Sequence, residues 1–136
     1  MRIAFGADDE NECTRAVVAA IEESHELVRP TESTSWPSMS RDVAVAVVEG
    51  DCDYGVLMCW TGTGTAIAAN KVRGARAATA ADAWTAKNAR LWNDANILTL
   101  SLKRLSPDVA VECLHAFLNE PAPDPAELPT IHSLDD

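Results

Sequence analysis

Residues 53–71 read DYGVLMCWTGTGTAIAANK, and this stretch decides the fold. Asp53–Cys59 is an apolar run of strand length, apolar enough to be covered on both faces, as in the middle of a parallel sheet. It ends in Trp60-Thr61-Gly62-Thr63-Gly64, a glycine-rich turn, and passes directly into the helix-like Thr65–Lys71. Strand, turn and helix in immediate succession make half of a β-α-β unit.

Outward from this unit the chain keeps alternating. Arg2–Gly6 reads as a first strand, and a helix from about Glu10 to Ser24 carries Thr14, Val17, Val18 and Ile21 on one stripe. Glu26–Val28 is a short second strand, Pro30–Ser38 a loop, and Met39–Glu49 a helix with Gly50 as its stop signal. After the central unit come strands at Arg76–Thr79 and Asn96–Leu100, with a helix over Asp82–Leu91 between them. Pro107 suits the first turn of a last helix through Leu118. Five alternations predict an α/β doubly wound sandwich on a five-stranded, mainly parallel sheet. Residues 1–120 form the predicted single domain. The tail, 121–136, holds four of the seven prolines (Pro121, Pro123, Pro125, Pro129) and is expected to run extended over the surface.

Eleven Lys and Arg against 21 Asp and Glu leave a net charge of −10, which disfavours nucleic acid as a partner because phosphate neutralisation needs a basic face. No apolar run approaches the roughly 20 residues of a membrane span. The start, MRIAFGADDE, turns acidic too early for a signal peptide. Cys13, Cys52, Cys59 and Cys113 show neither CxxC nor framework spacing, so reduced thiols in a cytoplasmic protein are expected. His25, His115 and His132 share no ligand spacing, which argues against a metal site.

In such a sheet ligands bind beyond the carboxyl ends of the strands. Cys59 sits there, between a buried strand and a turn that opens a helix. The helix dipole and free N–H groups favour its thiolate, and the same N–H groups suit an oxyanion. Inert burial is the plain alternative, and it is the expectation for Cys13, Cys52 and Cys113. The glycine pattern does not fit a dinucleotide site, since Ile67 stands where a third glycine is required. Thr61 reads equally as a helix cap or a substrate contact, and Asp8 and Asp9 equally as N-caps or site residues. Trp60 and Trp92 flank the site and suit stacking on a sugar ring or packing between subunits. Asn93 precedes a strand where Cys59 follows one; it is therefore structural, or belongs to a second subunit's site.

These residues resemble the B-type ribose-5-phosphate isomerase and galactose-6-phosphate isomerase family. In that family a strand ends in Cys-Gly-Thr-Gly-x-Gly and runs on to Ile-Ala-Ala-Asn-Lys, matched here by Cys59–Gly64 and Ile67–Lys71. Further matches follow in order: Arg2–Asp8, Trp36-Pro37, Arg76-Ala77, Asp82, Thr85-Ala86 and Asn93-Asp94-Ala95-Asn96. The resemblance covers about Met1 to Phe117. It implies a Rossmann-like sheet, a homodimer (or a tetramer) with shared active sites, and aldose–ketose isomerisation of a sugar or sugar phosphate without cofactor or metal. Carried over, Cys59 is the base, Thr61, Gly62 and Gly64 hold the enediolate, Asp8 contacts hydroxyls or assists ring opening, and Asn93 comes from the neighbour.

Departures accompany the matches. The family's Asp-His pair is Asp8-Asp9 here, its second His is Trp92, and the loop's first Gly is Trp60. Its Gly-Gly-Arg is Ser101-Leu102-Lys103, and its C-terminal arginines have no counterpart after Arg104. Asp9, Trp60, Trp92 and Lys103 are therefore expected to shape a substrate site that does not prefer ribose 5-phosphate. The resemblance leaves open a non-catalytic sugar-binding relative, paired with a catalytic paralogue. Cys59 as a nucleophile is a third reading.

Overall fold

A computed structural model describes residues 1–135. Five strands, β1 (Arg2–Ala7), β2 (Glu26–Val28), β3 (Tyr54–Cys59), β4 (Ala77–Thr79) and β5 (Ile97–Ser101), form one sheet in the order β2-β1-β3-β5-β4. Every pairing is parallel. The chain moves outward from β1 to β2 and then returns to place β3 on the other side of β1. This reversal opens a crevice between the carboxyl ends of β1 and β3.

Side chains of successive strand residues point to opposite faces, so each strand feeds two cores. Ile3, Phe5, Val56, Met58, Leu98 and Leu100 pack beneath α1 (Glu12–Ser24), α4 (Ala83–Asn93) and α5 (Pro107–Leu118). Ala4, Leu57 and Ile97 pack on the other face with Met39, Val43 and Val47 of α2 (Trp36–Val48) and Ala69 of α3 (Thr63–Ala69). Val56, Leu57 and Met58 are all fully buried, as the uninterrupted apolar run requires.

Three boundaries differ from expectation in ways that matter to the site. Asn11, not Asp8 or Asp9, caps α1: its side chain accepts from the Thr14 N–H while the Thr14 hydroxyl takes the Asn11 N–H. This capping box leaves both aspartates free of the helix. Trp36 belongs to α2 and not to the preceding loop, because Pro37 is accommodated in the first turn where its missing N–H costs nothing. The helix after the glycine turn starts at Thr63, two residues earlier than expected, since Gly62 adopts φ +79° and supplies the turn itself.

The tail is not extended. Pro125–Glu127 and Ser133–Asp135 are 3₁₀ turns flanking α6 (Leu128–His132), and Ile131 is buried. Prolines at first-turn positions favour helix starts, which composition alone did not distinguish from a linker. Arg90 of α4, 2% exposed, anchors the entry to this tail by donating to the carbonyls of Glu120 and Pro121. Its guanidinium also lies 4.7 Å from the Tyr54 ring centroid and pairs with Asp94 at 2.8 Å. A buried guanidinium is tolerated because its donors and its charge both find partners.

Candidate active site

Three loops meet at the carboxyl end of the sheet. The Asp8 N–H donates to the Met58 carbonyl at 3.1 Å, joining the ends of β1 and β3. The Leu102 N–H donates to the Cys59 carbonyl at 3.0 Å, and the Ser101 hydroxyl donates to the Trp60 carbonyl, fixing the β3–α3 turn against β5. The Asn11 side-chain amide reaches the Leu102 carbonyl at 2.7 Å and locks the start of α1 onto the same corner.

Cys59 is 5% exposed within this frame. The Gly62 N–H donates to its Sγ at 3.1 Å, and the Thr65 Oγ1 lies 3.5 Å from Sγ. Burial by itself pushes the thiol up. The Thr65 hydroxyl, together with the N–H groups of Thr65, Gly62 and Thr61, outweighs burial and holds the thiol below its ordinary range. A Cβ at position 62 would stand 3.0 Å from the Leu100 carbonyl carbon and 3.2 Å from Thr79 Cγ2, so φ and space both demand glycine. Gly64 has a packing duty as well: a Cβ there would stand 3.3 Å from the Trp36 ring. Thr61 does not cap α3, whose N-cap is Gly62. Its Oγ1 accepts from the Thr63 N–H at 3.3 Å and pairs with the Thr63 hydroxyl at 2.8 Å.

Asp8 is half-buried, with Oδ1 shielded from solvent and without a hydrogen-bond partner. Burial, reinforced by the charge of Asp9, raises its pKa and favours the protonated acid. Asp9 behaves oppositely: the Glu10 N–H and then the Trp60 indole hold it ionised. Trp60 Nε1 donates to Asp9 Oδ2 at 3.2 Å, and Lys103 Nζ stands 4.4 Å from the Trp60 ring centroid. The residues that depart from the family pattern at positions 9, 60 and 103 thus contact one another.

Trp92 and Asn93 do not join this group within one protomer. They end α4 at the amino end of the sheet, and β5 alone spans roughly 16 Å at ~3.3 Å per residue. There Trp92 packs edge-to-face on Trp84, with ring centroids 5.7 Å apart. Two site residues escaped the sequence reading. Thr65 stands at the third position of α3, where a hydroxyl can reach back into the turn, and that position was its only signal. Ser101 has none, because its role depends on strand register.

The family model described as Ribose/Galactose Isomerase matches residues 3–129. The chain belongs to this family. It is 35% identical over 125 residues to ribose-5-P isomerase B of Listeria innocua, covering 88% of this chain and 84% of that protein. It is 36% identical over 88 residues to D-erythrulose-4-phosphate isomerase of Pectobacterium atrosepticum, covering 65% of this chain and 58% of that one. The solved ribose 5-phosphate isomerase of Thermotoga maritima superposes with a TM-score of 0.90 at 28% identity, covering 98% of this chain and 97% of that one. The protein is thus a Rossmann-like member of a sugar-phosphate isomerase family. Among the described residues, no helix is long and apolar enough to cross a membrane.

Proposed function

We propose that this protein is a cofactor-free, metal-independent aldose–ketose isomerase that moves a proton between the first two carbons of a small sugar derivative. The observation that carries the reading is the hydrogen bond from the Gly62 N–H to Cys59 Sγ at 3.1 Å. The Cys59 thiolate takes the proton from carbon 2 of the open-chain aldose, and the electron pair moves into the carbonyl to give an enediolate. Once the sulfur is protonated it no longer needs the Gly62 N–H, and that N–H, with the Thr61 hydroxyl and the Gly64 N–H, stabilises the enediolate oxygen. The thiol returns its proton to carbon 1, while the remaining hydroxyl proton passes to the new position. Asp8, as the half-buried acid, serves ring opening or grips a hydroxyl.

The working unit in this proposal is a homodimer, with Trp92 and Asn93 of a second copy completing each site. Ile67, Trp84 and Trp92 are 61%, 67% and 46% exposed in the single chain, an apolar exposure that an interface would cover. We take residues 1–120 as the catalytic domain, and its free thiols suit a cytoplasmic location.

Ribose 5-phosphate is not the preferred substrate. Asp9 would place a carboxylate where the family has a His; at ~4 Å from a phosphate charge this costs about 4 kcal/mol per charge pair at an effective dielectric of 20. Selection of at least ~100-fold for another sugar follows, about 2.7 kcal/mol. A panel of phosphorylated and free sugars in deuterated water, scored for deuterium at the carbon beside the carbonyl, tests the reading. Cys59→Ser should lower turnover by ~10²-fold or more. Full activity in that folded variant, abolition of wild-type activity by a chelator, or a preference for ribose 5-phosphate would each sink the corresponding part.

A further inference from the structure

A cavity of about 600 Å³ opens beside Asp8 and Asp9. Phe5, Ala7 and Val18 give it an apolar floor, and Arg15 of α1 and Arg29, just after β2, stand on its wall. The Arg29 guanidinium lies 5.0 Å from the Phe5 ring centroid, a stacking that leaves its edge N–H groups available. Among the described residues neither Arg15 nor Arg29 has an ion-pair partner within 4.0 Å, whereas Arg2, Arg76 and Arg90 do.

The corner nearest the glycine turn is differently occupied. Trp60 binds Asp9 through its indole N–H, and the Lys103 ammonium stands over the indole ring. That arrangement commits the Lys103 cation to the ring and sets a carboxylate beside it, so the corner is a poor seat for an anion. Four carboxylates also line the cavity, Asp8, Asp9, Glu10 and Glu22, and among the described residues none pairs with either guanidinium within 4.0 Å. The Asp9 carboxylate is engaged by Trp60 and the Glu10 N–H, and Asp8 is half-buried beside it. Glu10 and Glu22 are exposed, where water screens them.

We propose that this cavity receives an oxyanionic end of the substrate, clamped by Arg15 and Arg29. The inference rests on the isomerase reading only in naming the ligand a substrate. It makes the two arginines specificity-determining residues and sets the anion on the α1 side of Asp8, away from the Trp60–Lys103 corner. Phosphate and carboxylate share the chemistry that a guanidinium fork recognises.

Binding to an inactive protein separates this inference from catalysis. Cys59→Ala and Cys59→Ala/Arg15→Gln/Arg29→Gln are titrated by calorimetry with ribose 5-phosphate, ribonate and ribose. Both arginines are exposed, and the ribose titration registers any disturbance from losing the Arg29 stacking on Phe5. The arginine-deficient protein should bind at least one of the two anions ~10-fold or more weakly, with ribose affinity unchanged within about twofold. Arg→Lys variants should recover part of the loss, since charge returns without the fork. Loss confined to ribose 5-phosphate assigns a phosphate seat, and loss confined to ribonate a carboxylate seat. Unchanged affinity for both anions, no measurable binding of either, or an equal loss for ribose overturns the proposal. Arginine-dependent anion binding in a wild-type protein that isomerises no sugar leaves the clamp standing and removes the isomerase reading.

Discussion

Thr65→Val tests how the Cys59 thiol is held, because it removes one hydroxyl and keeps the shape of a fully buried side chain. The Thr65 Oγ1 donates to the Gly62 carbonyl at 3.0 Å and lies 3.5 Å from Cys59 Sγ. A hydroxyl carries one proton. With Cys59 protonated, that proton serves Gly62; with Cys59 ionised, it turns to the sulfur. The Gly62 carbonyl is not orphaned by the substitution, since the Ala66 N–H and the Thr79 hydroxyl also donate to it, each at 3.3 Å. The stability cost is therefore that of one ordinary hydrogen bond, about 1 kcal/mol, or roughly 3–4 °C in Tm for a chain of this size. The effect on the thiolate is larger, because a bond to a charged acceptor contributes at least ~1.5 kcal/mol. That corresponds to about tenfold less thiolate at a given pH below the titration.

Iodoacetamide alkylation followed against pH, with the modified peptides identified by mass spectrometry, measures this directly. Burial pushes the thiols of Cys13, Cys52 and Cys113 up, so Cys59 carries the neutral-pH reaction. Thr65→Val should move the midpoint of the rate–pH curve upward and alkylate several-fold more slowly below it, the loss of thiolate being offset in part by the greater nucleophilicity of a more basic thiolate. Thr65→Ser should recover most of the rate. A Thr65→Val protein that alkylates at the wild-type rate and midpoint would refute the account of the thiol.

Two further outcomes are expected. Mixing Cys59→Ala with Asn93→Ala protein should restore part of the activity each lacks, through hybrid dimers with one intact site; a monomer in sedimentation, or no recovery after proven subunit exchange, removes the shared site. Burial raises the Cys113 thiol from 9.0 to about 11, so between these values the unfolded chain gives up a proton that the folded chain keeps. Stability should fall as pH rises through that window, by about 2–3 kcal/mol in all. Cys113→Ala should flatten that part of the Tm–pH curve, and an unaltered slope would assign it elsewhere.

The sequence by itself determined the central strand, the glycine turn, the helix after it and the parallel α/β class. Those depend on local pattern: an apolar run that must be covered on both faces, a glycine at φ +79°, a proline where a helix begins. It also placed Cys59 at a strand end, which any parallel sheet turns into a binding edge. Tertiary structure decided the rest. Asp8 and Asp9 are free of the helix only because Asn11 caps it and ties it to the β5–α5 loop. Thr65 acts on Cys59, and Trp60 on Asp9 and Lys103, through contacts across 6, 51 and 43 positions of sequence, for which no periodicity exists. The prolines of the tail read as a linker in isolation and as helix starts once Arg90 holds the preceding carbonyls. Arg15 and Arg29 were ordinary surface bases in the sequence; the cavity they share exists only where α1 lies over the edge of the sheet. Pattern along a chain records which face of an element is buried, whereas a site is made by side chains from different elements, and their meeting is fixed by packing.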